Sequence, residues 1–139
     1  MRKLARATAF KLIFSYLFQR EKDSDPLSDE ELLGQDWEKI KDTDKEYVLK
    51  VYEGVVNRYD ELYANIAALS SDFRPERIFK VDLAIMLLAM YEIDYMDDIP
   101  DIVAINEAVE LAKDYSTEKS PSFINGILAA HLKRKKGEG

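Results

Sequence analysis

The sequence predicts an all-α fold, a compact bundle of about seven helices. The 139 residues include only 5 glycines and 4 prolines, so turns should be few and elements long. Apolar residues recur at helical spacing through most of the chain, without the period-two alternation of strands and hairpins. The length suits one domain, which we expect to span residues 1–139 around a single hydrophobic centre.

The first half of the chain divides into three predicted helical stretches. Residues 4–18 contain neither Gly nor Pro and are apolar on nearly every side, so most of this helix should be core. Its first two turns are expected to emerge from that core carrying positive charge. Ser28 and Glu31 have the spacing of a capping box and predict a short second helix. A third apolar repeat covers residues 47–69, with a bend expected near Tyr59.

In the second half of the chain, prolines mark where elements begin. Pro75 suits a first helical turn, and Pro100 should end one helix and start the next. Residues 81–96 between them are apolar except for three acidic side chains, and a helix that is apolar all round is a buried, central one. Ser120 and Pro121 predict the start of the last helix, with Ser120 as its N-cap.

Positive charge is concentrated at the two ends of an acidic chain. The net charge is −7, yet residues 1–20 contain no acid. Cations at a helix N-terminus oppose the macrodipole at about 0.3–1 kcal/mol each, and Arg2 and Arg6 also repel each other at i, i+4. Charge placed against local stability indicates an anionic partner, although a solubilising fringe would have the same composition.

The basic C-terminal tail has a simpler explanation than the N-terminal cluster. Residues 133–136 are all basic, and the dipole favours cations at a helix C-terminus. Assistance to nucleic-acid binding is the alternative for this tail. We expect the terminal segments 1–6 and 133–139 to be flexible.

Most catalytic and metal-binding chemistry lacks support in the sequence. Cys is absent, which removes thiolate catalysis, disulfides and zinc–thiolate sites. The single histidine, His131, lies near a predicted helix C-terminus, where the dipole favours its charge. Phosphate-loop glycine patterns do not occur, and acidic pairs such as Asp97 and Asp98 suit solvated helix faces. We therefore expect no enzyme, no metal site and no cofactor.

The sequence also predicts a cytoplasmic protein without a membrane partner. No apolar stretch reaches the ~18 residues that a membrane helix needs. The basic start is followed by an apolar run, as in a signal peptide, but Lys11 interrupts that run and no small-residue cleavage site follows.

Two segments of the chain resemble the NusB transcription antitermination family. The first is the arginine-rich opening, residues 2–6, followed by Phe14 at a position where the family often has tyrosine. The second is more specific, because its order and spacing are hard to produce by chance. It comprises Val81-Asp82, Ala89-Met90-Tyr91-Glu92-Ile93 and Ile99-Pro100, then Ile105-Asn106-Glu107-Ala108-Val109-Glu110-Leu111-Ala112-Lys113, and finally Ser120 with Phe123-Ile124-Asn125-Gly126.

The resemblance implies a fold of two small helical bundles packed together and no active site. It implies binding of a boxA-type single-stranded RNA together with the ribosomal protein NusE, in the transcription elongation complex of ribosomal RNA operons. By position, the RNA-binding residues would be Arg2, Lys3, Arg6, Phe14, Glu76, Asp82 and Phe123. Among these, Phe14 and Phe123 lie at helical spacing, so core packing is the alternative to base stacking for each.

Other positions are interpreted as structural or as departures from the family. We expect Tyr91, Asn106, Glu107 and Asn125 to be polar groups that are embedded among apolar helices and need partners. Gly126 inside a helix suggests close helix–helix approach.

Leu83 and Leu87 stand where many family members have arginine. This departure should weaken RNA affinity, and the two leucines suggest an apolar face for a protein partner. A helical protein–protein module, a homodimer without direct RNA binding, is therefore the alternative function. NusB-like domains also occur fused to RNA methyltransferases, and we expect no catalytic domain here.

Overall fold

A computed structural model describes residues 2–22, 36–70 and 74–137 of the chain. This part contains seven α-helices and one short 3₁₀ helix, Pro75–Arg77, which confirms the predicted all-α class. The capping box at Ser28 and Glu31 lies outside the described residues. The helices are α1 (Arg2–Lys22), α2 (Asp36–Lys39), α3 (Asp42–Asn57), α4 (Tyr59–Leu69), α5 (Lys80–Tyr95), α6 (Asp101–Tyr115) and α7 (Ser120–Lys135).

Helix α5 is the centre of the fold, as its predominantly apolar sequence predicts. Every residue from Asp82 to Ile93 is buried. Helices α1 and α3 pack on each other and on α5, while α6 and α7 pack on each other and on α5. One continuous hydrophobic core joins the two groups of helices, because both use α5 as a common wall. None of the helices in the described ranges is long and apolar enough to cross a membrane.

The helix boundaries predicted at the bend and at Pro100 are confirmed, whereas α1 and α3 begin before the predicted residues 4 and 47. Arg58, with φ −117° and ψ 21°, separates α3 from α4 beside the expected bend. Pro100 precedes α6, and its carbonyl accepts hydrogen bonds from the first turn of that helix. The prediction that Ser120 is an N-cap is wrong, because Ser120 is already the first residue of α7 and Lys119 precedes it.

The first two turns of α1 lie largely in the core, although Lys3 and Leu4 are exposed. Ala5 and Ala9 are fully buried and Arg6 is only 6% exposed. The expectation of a projecting basic start is therefore wrong for Arg6. The physical reason is tertiary, because Arg6 contacts Glu92 of α5 and Arg2 contacts Asp44 of α3.

The close helix–helix approach occurs at Gly54 and not at Gly126. A Cβ atom added to Gly54 would overlap the ring of Tyr91, whereas one added to Gly126 would meet nothing within 4 Å. The prediction for Gly126 is therefore wrong, and this residue is exposed on α7. Gly54 instead allows α3 to approach the middle of α5.

We predict opposite stability changes for alanine at these two glycines. Gly54→Ala should lower the free energy of unfolding by about 1–3 kcal/mol, because the added methyl group displaces Tyr91. Gly126→Ala should raise it by about 0.5–1 kcal/mol, because alanine favours a helix and the position is open. Urea denaturation of both variants measures the difference. Equal effects at the two sites would contradict the proposed contact.

Candidate nucleic-acid interface

The basic residues at the start of α1 have three different environments. Arg6 is buried, Arg2 is partly exposed against α3, and Lys3 is exposed. At ~100° per residue, Lys3 lies within about 20° of Phe10 and Phe14 on the helix surface, whereas Arg2 lies about 80° or more from both. The predicted basic cluster is therefore not one continuous patch.

Arg6 belongs to a buried hydrogen-bonded network with Glu92 of α5 and Tyr47 of α3. The Arg6 Nε donates to both Glu92 carboxylate oxygens at 3.2 Å, and its Nη2 donates to Oε1 at 3.1 Å. The Tyr47 hydroxyl donates to Glu92 Oε2 at 2.7 Å. The prediction of Arg6 as an RNA contact is thus at odds with its position, because the guanidinium is committed to a carboxylate that is itself only 1% exposed.

Burial and neighbouring charges fix the protonation states of Arg6 and Tyr47 in this network. Burial opposes the charge of Arg6, but the hydrogen bond and the negative charge of Glu92 outweigh it and raise the pKa of Arg6. Burial, followed by the charge of Glu92, raises the pKa of Tyr47 far above its ordinary range. The hydroxyl therefore remains a donor wherever the protein is folded near neutral pH.

Arg2 lies over the same tyrosine. Its Cζ atom is 4.6 Å from the centroid of the Tyr47 ring, and its Nε is 3.7 Å from Asp44 Oδ1. The side chain of Arg2 remains 35% exposed. A guanidinium held on an aromatic face with part of its surface in solvent can still meet a phosphate.

An aromatic row follows one side of α1 and ends at α6. It consists of Tyr115, Phe10, Phe14 and Phe18 in spatial order. Successive ring centroids are 5.2, 6.2 and 5.0 Å apart. Phe10 is buried, Phe14 is partly buried, and the two ends, Phe18 and Tyr115, are 37% and 42% exposed. Phe14 is thus both a core contact and part of a surface.

Lysines flank both ends of the aromatic row. Lys11 Nζ lies 5.4 Å from the centroid of Tyr115, and Lys80 Nζ lies 5.3 Å from that of Phe18. Aromatic faces beside cations are what single-stranded nucleic acid requires, because bases stack on rings and phosphates pair with cations. The sequence pattern did not identify Lys11, Lys80 or Tyr115 as site residues, because only the fold places them beside the row.

An apolar recess of about 190 Å³ lies between the start of α5 and the start of α7. Phe79 and Phe123 line it, with Arg77 and Lys119 also contributing to its wall. Phe79 is 61% exposed, whereas Phe123 is partly buried against the core. Phe79 was not predicted, because a single exposed phenylalanine ahead of a helix has no periodic signal.

The two acidic residues predicted by resemblance occupy different environments. Asp82 is 4% exposed and accepts hydrogen bonds from Ser116 Oγ at 2.6 Å and Ser120 Oγ at 3.0 Å. It therefore fixes the α6–α7 connection against α5. Glu76 is exposed on the 3₁₀ helix and lines a separate recess of about 290 Å³ with Arg20 and Tyr63.

Among the remaining positions, some expectations are confirmed and others are wrong. Leu83 and Leu87 are 7% and 0% exposed, so the suggested apolar partner face is wrong and both belong to the core. Asn106 and Asn125 are exposed and not embedded, which contradicts their structural interpretation. Tyr91 is buried as expected, stacked on Tyr95 with the ring centroids 5.3 Å apart. Glu107 is partly buried.

The C-terminal cations occupy the last turn of α7. Helix α7 continues to Lys135, whose ammonium donates to the carbonyl of Ile93 and lies 3.8 Å from Asp101. His131 is buried, and its Nε2 is 2.9 Å from Asp94 Oδ1. These contacts attach the last turns of α7 to the end of α5. In the described ranges, no group of three or more potential metal ligands occurs.

The helices and their surface define an all-α domain that is organised for recognition, with aromatic rings and lysines on an open face.

The sequence profile of the NusB family matches residues 3–133. A transcription antitermination protein NusB from Acetivibrio thermocellus is 45% identical over 136 residues, covering 96% of this chain and 90% of the relative. Its counterpart from Clostridium kluyveri is 36% identical over 151 residues, covering 97% of each chain. The chain belongs to the NusB family.

Solved structures agree with this assignment. NusB from T. maritima superposes with a TM-score of 0.83 at 31% identity, covering 100% of this chain and 98% of that one. A structure of the antitermination factors NusB and NusE in complex with dsRNA superposes with a TM-score of 0.76 at 26% identity, covering 96% of both chains. The resemblance in the sequence is thereby confirmed at the level of the fold.

We predict that Glu92 is worth far more to stability than an exposed carboxylate. Glu92→Gln should lower the free energy of unfolding by about 3–5 kcal/mol, because it leaves the Arg6 charge buried without its counter-ion. Replacing both residues, as in Arg6→Met with Glu92→Leu, should cost less than the single change, because no unpaired charge remains. Urea denaturation measures both, and a single variant as stable as the wild type would refute the buried-pair account.

Proposed function

We propose that this chain is an RNA-binding transcription antitermination and elongation factor. It binds boxA-type single-stranded RNA together with the ribosomal protein NusE and supports transcription of ribosomal RNA operons. The observation that carries this proposal is the aromatic row with its flanking lysines, on the surface of a NusB-family fold. Curated relatives named as transcription antitermination proteins support the same function.

The proposed RNA surface differs in part from the surface that resemblance implied. It retains Lys3, Phe14 and Phe123, and it adds the exposed ring of Phe79 and the lysines of the aromatic row. Arg2 adds a partly exposed cation from an adjacent face of α1. Arg6 and Asp82 act from beneath the surface by holding helices in place, since both are buried and fully engaged.

The protein partner supplies the RNA affinity that this surface lacks on its own. Few cations face the aromatic row, and a chain of net charge −7 repels RNA elsewhere, so binding by this chain alone should be weak. A related NusB has been solved with NusE and RNA together, which supports a shared binding site of that kind. Glu76, exposed beside the recess at the 3₁₀ helix, is a candidate contact to a basic partner.

We infer that the chain acts by recognition in the cytoplasm and not by catalysis. Support comes from the family, whose curated relatives are named for transcription antitermination. The homodimer module is not favoured, because Leu83 and Leu87 are buried and leave no apolar face of their own for a second copy.

Salt should weaken RNA binding by a calculable amount. With about three to four phosphates contacted and a single-strand slope near −0.7 per phosphate, affinity should fall roughly 30-fold from about 50 to about 200 mM salt. Fluorescence anisotropy of a boxA-like single strand, with and without NusE, measures this loss. A duplex of the same sequence serves as the comparison. Absence of binding even with NusE present would refute the proposed function.

Removing the exposed ring of Phe79 should test whether this residue stacks on an RNA base. Phe79→Ala should weaken RNA binding by about 1–3 kcal/mol, the value of one base–aromatic stack. Ile102 is the matched control, because it is equally exposed at 61% and lies on α6, away from the recess. Ile102→Ala should leave RNA affinity unchanged in the same anisotropy assay. Equal losses from the two variants would argue against a role for Phe79.

Removing one lysine should change the salt dependence. Lys11→Ala should reduce the slope of log affinity against log salt by about 0.7, because one phosphate contact is lost. Lys50 is the matched control, since it is also exposed but lies on α3 beside a different recess. Lys50→Ala should keep the wild-type slope. The same titrations measure both slopes, and an unchanged slope for Lys11→Ala would remove this lysine from the interface.

A further inference from the structure

Three helices converge on one tyrosine beneath the N-terminal cation. Glu92 of α5 accepts a hydrogen bond from the hydroxyl of Tyr47 at 2.7 Å. This bond fixes the ring of Tyr47, which lies on α3. The face of that ring lies 4.6 Å from Cζ of Arg2 on α1. Tyr47 itself is 3% exposed and is therefore not available for stacking with a base.

We propose that Tyr47 is a positioning residue for RNA binding, whose ring holds the Arg2 guanidinium in the orientation in which it meets a phosphate. This inference rests on the proposed function. Asp44 completes the arrangement with Oδ1 3.7 Å from Arg2 Nε, so ring and carboxylate constrain the side chain from two directions. A long cationic side chain that is already ordered loses less conformational entropy when the phosphate arrives.

The position of Arg2 explains why the constraint matters. A cation in the first turn of a helix receives no help from the helix dipole, which is positive there. Without the ring, Arg2 would keep its 3.7 Å contact with Asp44 but would lose the surface against which its guanidinium is oriented. The ring of Tyr47 therefore determines whether Arg2 acts as an oriented bidentate donor or as a diffuse charge.

A double-mutant cycle tests the proposal with single-stranded boxA-like RNA and NusE. Arg2→Ala should weaken binding by about three- to tenfold, as expected for one cation–phosphate contact. Tyr47→Leu should cause nearly the same loss, and the double variant should lose no more than either single variant. Tyr47→Phe keeps the ring and should bind RNA within about twofold of the wild type, although it loses the hydroxyl bond to Glu92 and some stability. Losses that multiply in the double variant, or wild-type binding by Tyr47→Leu, would overturn the proposal.

A similar stacked pair on another face provides the control. Arg58 Cζ lies 4.2 Å from the centroid of Tyr95, which is the last residue of α5, at the opposite end of that helix from Lys80. Tyr95→Leu should leave RNA affinity unchanged. If Tyr47→Leu does not fold, NMR of the wild type decides, because the ring current of Tyr47 should shift the Arg2 side-chain protons in both free and RNA-bound protein. Unshifted Arg2 protons in the bound state would overturn the inference. Wild-type protein that binds no RNA would instead refute the function itself.

Discussion

The carboxylate of Glu92 is the constraint on which the candidate surface depends. It lies in the central helix, 1% exposed, and a buried charge in such a position is unstable unless its partners come with good geometry. Those partners are Arg6 from α1 and Tyr47 from α3. The need to satisfy one carboxylate therefore fixes the register of α1 against α5. Phe10, Phe14 and Phe18 follow Arg6 at intervals of four residues, so that register also decides where the aromatic row lies.

A second acidic residue of α5 has the same role at the other end of the helix. Asp82 and Glu92 are ten positions apart, which corresponds to roughly 15 Å along a helix. Asp82 holds the hydroxyls of Ser116 and Ser120 and thus the connection between α6 and α7. Tyr115 and Phe123 flank that connection, so their rings are brought towards the first turns of α5. Acidic residues in an otherwise apolar helix thus organise the surface without being exposed on it.

The parts of the fold that depend on local signals were predictable from the sequence. Pro100 and the apolar run at residues 83–91 correctly predicted the end of one helix, the start of the next and the central helix itself, and the bend near Tyr59 is also confirmed. Each of these signals acts within a few residues. Predictions that depended on tertiary partners were less successful. Burial of Arg6 required knowledge that α3 covers α1, and the open space around Gly126 required knowledge of what faces it.

The candidate site was predictable only in part, for the same reason. Lys3, Phe14 and Phe123 were named by resemblance, whereas Lys11, Lys80 and Phe79 become candidates only when three helices meet. The burial of Arg6 nevertheless had a signal in the sequence. A lone glutamate within the apolar run of α5 requires a buried partner, and a cation or hydroxyl elsewhere in the chain had to provide it.

The acidic charge of the chain is compatible with RNA binding because attraction is local. At physiological salt, charges separated by more than about 8 Å are largely screened, so lysines beside the aromatic row act on RNA that is already close. Stacking on aromatic rings tolerates any base, and a few phosphate contacts carry no sequence information. Selectivity in the proposed complex must therefore come from the second protein and from the few base edges that the joint surface reaches. A weakly charged adaptor of this kind avoids general RNA binding and becomes effective only when its partner is present.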